Sequence, residues 1–290
     1  MILLLQPVLK SKIWGGDRIK TLFQISTELT NVGECWGISA YPGSESVVAN
    51  VPYAGKTLKQ LWDEEKPLFG NHPSKEFPIL VKIIEAKDDL SIQVHPDDAY
   101  AKQFNSFGKT EYWHILEADP NANIIIGHKA KTKEEFVSLV NANRYLDLVN
   151  TYPLKKSDGY FIQPGTIHAI CKGTVLLEVQ QSSDITYRFY DYDRLENGKP
   201  RQLHLKEAIE VTNIPDLGVV TDSTNPYFTL ERLTKFGRNN ASIYGDYLIV
   251  TEGKGIINDE PIQKGSFVVA TSMQTYMLKG KMEVFRVRLK

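Results

Sequence analysis

LVKIIEAKDDLSIQVHPDD, residues 80–98, reads as two short strands joined by a charged turn. FPILVKIIEA (77–86) is rich in Ile and Val, and LSIQVH (90–95) ends at a proline. Side chains at i and i+2 of a strand share a face. Gln93 and His95 therefore enter one space, and Ile92 and Val94 face the other way. Similar short strands are expected at 45–51, 110–118, 123–128, 159–164, 174–181 and 185–192, with Gly, Pro, Asn and Asp between them. Close spacing with turn signals implies a sandwich or barrel, so the chain is expected to be mainly β.

A few helices interrupt this pattern. TLKQLWDEEKPLF (57–69) opens at Thr57, a good N-cap, with Leu58, Leu61 and Trp62 on one face. Residues 97–104 predict a short helix capped by Asp97 or Asp98, residues 131–150 a longer one, and residues 204–211 another. From about residue 215 the pattern returns to strands and Gly turns. DGYFIQPGTIHAICKG (158–173) is echoed by KGSFVVATSMQTYMLKG (264–280), with Gly159 on Gly265, Phe161 on Phe267 and His168 on Gln274. Two strand-rich units are expected, a chemical one over 1–215 and a smaller C-terminal one over 216–290. All six histidines lie at or before position 204, within the first unit.

Composition bounds the partners. The 290 residues are 42% hydrophobic and 24% charged, with net charge −1 and pI near 6.6. That suits a soluble globular protein and argues against a nucleic-acid surface, while leaving room for a local basic pocket. Two cysteines, Cys35 and Cys171, make no disulfide framework, which implies free thiols and a reducing, cytoplasmic setting. The four apolar residues after Met1 are too few for a signal core or a membrane span.

Three strands carry candidate chemistry. Glu111 shares a face with Trp113 and Ile115, and an acid on an apolar face is costly to bury unless paired or bound to a metal. In GYFIQPGTIHAI (159–170) a Pro-Gly turn leads to His168 at the start of the next strand. His95, Glu111 and His168 would form a two-histidine, one-carboxylate set with Gln93 as a fourth member, suited to zinc with an open position or to iron(II). His72, His114, His128 and His204 have no such setting, and Cys171 reads as a buried thiol facing away from His168. Glu178 and Gln180 share a face, as do Thr186, Arg188 and Tyr190. Arg188 reads either as an ion-pair partner of Glu178 or as a cation fixed in a cavity. With Lys82 and Lys109 it makes three cations near the candidate metal, which points to a phosphorylated or otherwise anionic substrate.

Taken together, IWGG (13–16), GECWGIS (33–39), LVKIIEAKDDLSIQVHPDD (80–98), GKTEYWHIL (108–116), GYFIQPGTIHAI (159–170) and LEVQQSSDITYRFYDYDR (177–194) resemble the type I mannose-6-phosphate isomerases in their short bacterial form. The resemblance implies a cupin (jelly-roll) fold with a few helices and a smaller C-terminal β-barrel unit. It also implies one zinc ion per chain and interconversion of mannose 6-phosphate and fructose 6-phosphate through an enediol. Carried over by position, the zinc ligands fall on Gln93, His95, Glu111 and His168, the catalytic arginine on Arg188, the active-site lysines on Lys82 and Lys109, and an acid near the metal on Glu178. The first general cupin motif has His where this chain has Gln93, and an amide holds metal less tightly than an imidazole. Glu178, Lys109 and a zinc-bound water are the candidate proton carriers. The expected partner is a small sugar phosphate, with no nucleic acid and no membrane, on a monomer or weak dimer. An iron-dependent cupin oxygenase and a sugar-phosphate sensor without turnover are the competing functions.

Overall fold

The computed structural model describes residues 1–222, 224–234 and 236–290. The 77–98 stretch forms strands Ile79–Ala86 and Ile92–Val94, which belong to different sheets. Ile79–Ala86 lies in a six-stranded antiparallel sheet with Thr174–Gln181, Glu111–Ala118, Gly159–Ile162, Val32–Ile38 and Val8–Gly16. Ile92–Val94 lies in a five-stranded antiparallel sheet with Tyr187–Tyr190, His168–Ile170, Asn123–His128 and Val149–Pro153. The facing surfaces share one apolar cluster, with Ile84, Trp113, Ile115 and Leu176 from the first sheet and Ile124, Ile126 and Ile170 from the second.

Both outer faces are covered, which explains why several strands are apolar along their whole length. Val81, Ile83, Val175, Leu177 and Val179 pack against Tyr247, Ile249, Phe267 and Val287 of a third sheet. Ile92, Val94, Ile125 and Ala169 pack against Phe136, Val140 and Ala208 from helices Lys133–Asn141 and Leu205–Val211. Each buried aliphatic or aromatic side chain contributes roughly 1.5–3 kcal/mol. Lys82 therefore stands out: its neighbours at i±1 face the outer core, so its ammonium must enter the space between the two sheets.

The third sheet has eight strands. Phe228–Leu233, Thr275–Leu289, Asp246–Ile257 and Phe267–Ala270 are joined in it by Ile2–Gln6 and Val47–Val48 from the start of the chain. Sheet membership thus crosses the division at 215/216. The second face of this sheet has its own apolar cluster, including Leu248, Val250, Val268 and Val284.

Thr57 accepts from the backbone N–H of Gln60, whose side chain returns to the Thr57 N–H, a capping box that starts helix Leu58–Glu64. The helix expected over 131–150 is broken. Lys133–Asn141 ends, Asn143 takes a left-handed φ of 55°, Tyr145–Leu148 makes one more turn, and Val149 begins an edge strand. Asn tolerates that backbone region better than most residues. The N-terminal stretch forms strands that its composition did not announce. In Val8–Gly16 a bulge sets both Ser11 and Gly16 opposite Val32, so residues 12–15 leave the ladder. Among the described residues no helix is long and apolar enough to cross a membrane.

Candidate metal centre and adjoining pocket

Strand register assembles the centre. His168 pairs with Gln93, and Arg188 pairs with Gln93 on its other side, so the five-stranded sheet aligns these three side chains. On the opposite sheet Glu178 sits between Lys82 and Trp113, and Gln180 is opposite Glu111. His95 lies just beyond Val94, where its backbone carbonyl accepts from Gly165 at 2.9 Å, joining the two histidine segments.

His95, Glu111 and His168 converge, all buried, with their ligand atoms within 4.8 Å of one another. His95 Nδ1 donates to the Ile185 carbonyl and His168 Nδ1 to the Thr166 carbonyl, each at 2.9 Å. Those bonds leave both Nε2 atoms as acceptors. They lie 3.1 Å apart. His95 Nε2 is also 3.3 Å from Glu111 Oε1, and His168 Nε2 is 3.8 Å from Glu111 Oε2. Lone pairs so arranged repel one another unless a cation lies among them. Ligand atoms on a tetrahedral ion with bonds of about 2.0–2.1 Å are spaced about 3.3 Å apart, close to these separations. Both Glu111 oxygens are buried without a hydrogen-bond partner. Lys109 Nζ, 2.5 Å from Oε1 and 3.0 Å from His95 Nε2, makes an ion contact lacking hydrogen-bond direction to the carboxylate. The donor set thus fits a divalent metal. Gln93 Nε2 faces His168 Nε2 at 3.4 Å, and its Oε1 accepts from Ser91. A half-turn of the amide would present oxygen to the centre instead.

Burial and charge set the protonation states. Burial, with the Lys109 charge second, pushes the His95 pKa down to about 3. Burial also lowers His168. Burial would raise the Glu111 carboxyl, but Lys109 and His95 outweigh it and hold it well below the usual range. The three residues are therefore in the forms a metal requires, neutral imidazole and carboxylate.

A second buried pair borders the first. Lys82 Nζ lies 3.0 Å from Glu178 Oε2, and Trp113 Nε1 donates to Glu178 Oε1 at 2.9 Å. Burial would lower Lys82, but Glu178 and Glu34 prevail and raise it. Glu178 itself is raised, first by burial and then by the Glu111 charge, which outweigh Lys82. Its Oε2 has no well-directed hydrogen bond. Of the two readings of Arg188, the ion pair with Glu178 is not the one formed: Lys82 makes it, and Arg188 lines the pocket with its Nε buried without a hydrogen-bond partner. Burial and the neighbouring Arg201 charge lower the Arg188 pKa.

One pocket is lined by Lys82, Gln93, Lys109, Glu178 and Arg188, all five of them residues singled out from sequence. Thr186 lines it too, but a bulge between Arg188 and Tyr190 breaks the alternation, and Tyr190 stacks on Tyr145 instead. Sequence reasoning missed the pocket residues Lys12, Trp14, Glu34, Asp184 and Arg201. The first three stand on the N-terminal strands; the quoted IWGG and GECWGIS motifs were the signal for Trp14 and Glu34, and Lys12 lies one residue before the first of them. Asp191 accepts from both Arg194 and Arg201, with Arg201 Nε at 2.7 Å, and so fixes Arg201 at the pocket. The other four histidines lie outside the centre: His114 packs on Phe285, His128 bonds the Asn213 carbonyl, His72 packs on Trp62 and Tyr244, and His204 Nδ1 accepts from the Arg188 backbone N–H at 3.2 Å.

A jelly roll with two histidines and a carboxylate converging between its sheets places the chain among the cupins. The model of the phosphomannose isomerase type I catalytic domain matches residues 2–130. A mannose-6-phosphate isomerase of Streptococcus mutans is 37% identical over 304 residues, 97% of this chain and 96% of that one. ManA of Bacillus subtilis, also a mannose-6-phosphate isomerase, is 43% identical over 218 residues, 74% of this chain and 69% of its own. The crystal structure of a Bacillus subtilis mannose 6-phosphate isomerase superposes with a TM-score of 0.92 at 37% identity, covering 99% of each chain. The chain belongs to the type I mannose-6-phosphate isomerase family.

Proposed function

We propose that this chain interconverts D-mannose 6-phosphate and D-fructose 6-phosphate through a cis-enediol, with one zinc ion held by Gln93, His95, Glu111 and His168. The observation that carries the reading is the Glu111 carboxylate, buried without hydrogen bonds and facing two imidazole acceptors, in a site shared with buried cations. When bound, zinc supplies a fixed positive charge that polarises sugar oxygens and orders the floor of the pocket.

The remaining work falls to the chain's own groups. Glu178 takes the proton from C2, exchanges it with solvent while the enediol is bound, and delivers a proton to C1, while the C2 hydroxyl proton passes to the former aldehyde oxygen. Its raised pKa makes it a stronger base than an ordinary carboxylate, and its Oε2, paired with Lys82 without a well-directed hydrogen bond, borders the pocket that would hold the sugar. Arg188 stabilises the negative charge that grows on the enediol oxygens, a task suited to a guanidinium already desolvated at the site. Lys82 keeps Glu178 oriented, and Lys109 holds sugar hydroxyls beside the metal. The sugar phosphate is the small-molecule partner, and the two free thiols support a reducing, cytoplasmic setting.

The test is a coupled assay for fructose 6-phosphate formed from mannose 6-phosphate in deuterated water. The proposal predicts turnover with solvent deuterium at C1 of the product. Product without deuterium would exclude the exchanging enediol. Binding without turnover would favour a sensor, and oxygen uptake would favour an oxygenase.

A further inference from the structure

We propose that Lys12 binds the substrate phosphate and so determines the preference for phosphorylated sugars. The inference rests on the sugar-phosphate reading above. Residues 12–15 leave the ladder because Ser11 and Gly16 share Val32 as partner, and this bulge turns Lys12 and Trp14 toward the pocket they line. The bulge is held from beneath. A Cβ at Gly33 would come within 2.6 Å of Trp14 Cζ3, 2.7 Å of Lys12 Cβ and 2.8 Å of Lys12 Cγ. The Lys12 N–H also donates to the Asn31 carbonyl at 2.9 Å. The base of the side chain is therefore packed in place, and only its far end is left to move.

Charge pairing singles out Lys12 among the pocket lysines, and Arg188, which has no carboxylate partner among the described residues, is assigned above to the enediol oxygens. Lys82 and Lys109 are committed to Glu178 and Glu111, with side chains only 5% exposed. Arg201 is bound by Asp191. Lys12 Nζ lies 3.4 Å from Glu34 Oε2, an oxygen that already accepts from Trp36 Nε1 at 2.7 Å. The Lys12 side chain is 32% exposed, and a long, wet ion pair contributes little. Lys12 can leave its partner at least cost. It also lies at the more exposed end of the pocket, its mouth, whereas His95, Glu111 and His168, with side chains about 1% exposed, lie behind the lining residues Gln93 and Lys109 and would form the floor once the centre opens to the sugar. A hexose phosphate whose reacting C1–C2 end meets the floor directs its C6 phosphate toward the mouth. There Lys12, together with Arg201, gives the dianion charge-assisted hydrogen bonds.

The experiment is calorimetric titration of the metal-loaded protein with inorganic phosphate, mannose 6-phosphate and unphosphorylated mannitol, alongside steady-state kinetics. Lys12→Met is expected to weaken phosphate and mannose 6-phosphate about tenfold, the loss of about 1.4 kcal/mol. KM should rise by a similar factor with kcat within about twofold, mannitol binding should not change, and Lys12→Arg should restore phosphate affinity. Wild-type phosphate affinity in Lys12→Met, or equal loss for mannitol, would overturn the proposal. If the wild type binds phosphate through Lys12 but never turns over, the isomerase reading fails and the Lys12 assignment stands. If it turns over and Lys12→Met leaves KM unchanged, the reverse holds.

Discussion

Replacing Lys82 with Met removes the cation from a buried pair while keeping the length of its stem. Glu178 then stays between the sheets, 3% exposed, still bonded to Trp113 and still close to the Glu111 charge. Breaking one side of such a pair costs about 3–5 kcal/mol. The variant can limit that cost by protonating Glu178. Starting from the ordinary value of 4.5, holding a carboxyl neutral at pH 7.5 costs three pH units, about 4 kcal/mol, which agrees with that range. At pH 5.5 the same step costs about 1.4 kcal/mol. In the variant the folded pKa stands above the unfolded one, so the folded state keeps a proton that the unfolded state has released. Stability therefore falls as pH rises from about 4.5 toward the folded value. Urea denaturation of wild type and Lys82→Met at the two pH values should show the difference between them growing by up to about 2.7 kcal/mol from pH 5.5 to pH 7.5. The double variant Lys82→Met, Glu178→Gln should recover most of the loss at pH 7.5, because no buried charge remains unpaired. A pH-independent deficit with no recovery in the double variant would refute the buried pair as the cause.

Other outcomes follow from the same geometry. Arg188→Ala should lower kcat by about 10²–10³, the scale of losing one preorganised charge stabiliser, and wild-type turnover would remove Arg188 from the mechanism. Gly33→Ala should destabilise the fold by about 1–3 kcal/mol and raise KM together, because the new methyl meets Trp14 and the Lys12 stem at under 3 Å. Thermal denaturation with parallel kinetics would check both halves, and a fully stable, fully active variant would contradict the packing described at the bulge. Thr57→Ala should cost about 1 kcal/mol through loss of the capping box, with kcat unchanged, and a matching Tm in the variant would contradict it.

Alternation made much of the site legible. Gln93 and His95, Glu111 and Trp113, and Glu178 and Gln180 each sit two apart, so a strand assignment was enough to align them. Which strands face each other was not legible, because pairings such as Arg188 with Gln93 depend on contacts far apart in the chain. The choice between the two readings of Arg188 was open for this reason: Glu178 lies beside Lys82 in one sheet, and Arg188 belongs to the other. Tyr190 was misassigned because a bulge resets the period, and a bulge has no residue signature here. Ile2–Gln6 was unreadable as part of the C-terminal sheet, since its partner Phe267–Ala270 lies at the far end of the chain.

The central claim is a metal-dependent isomerase, and one titration addresses it most directly. Mannose 6-phosphate turnover would be measured on the protein after chelation, then against added zinc or iron(II), with bound metal quantified in each sample. The account predicts no turnover without metal and recovery that saturates at one zinc per chain. Full turnover in metal-free protein, or recovery with iron(II) alone, would contradict it.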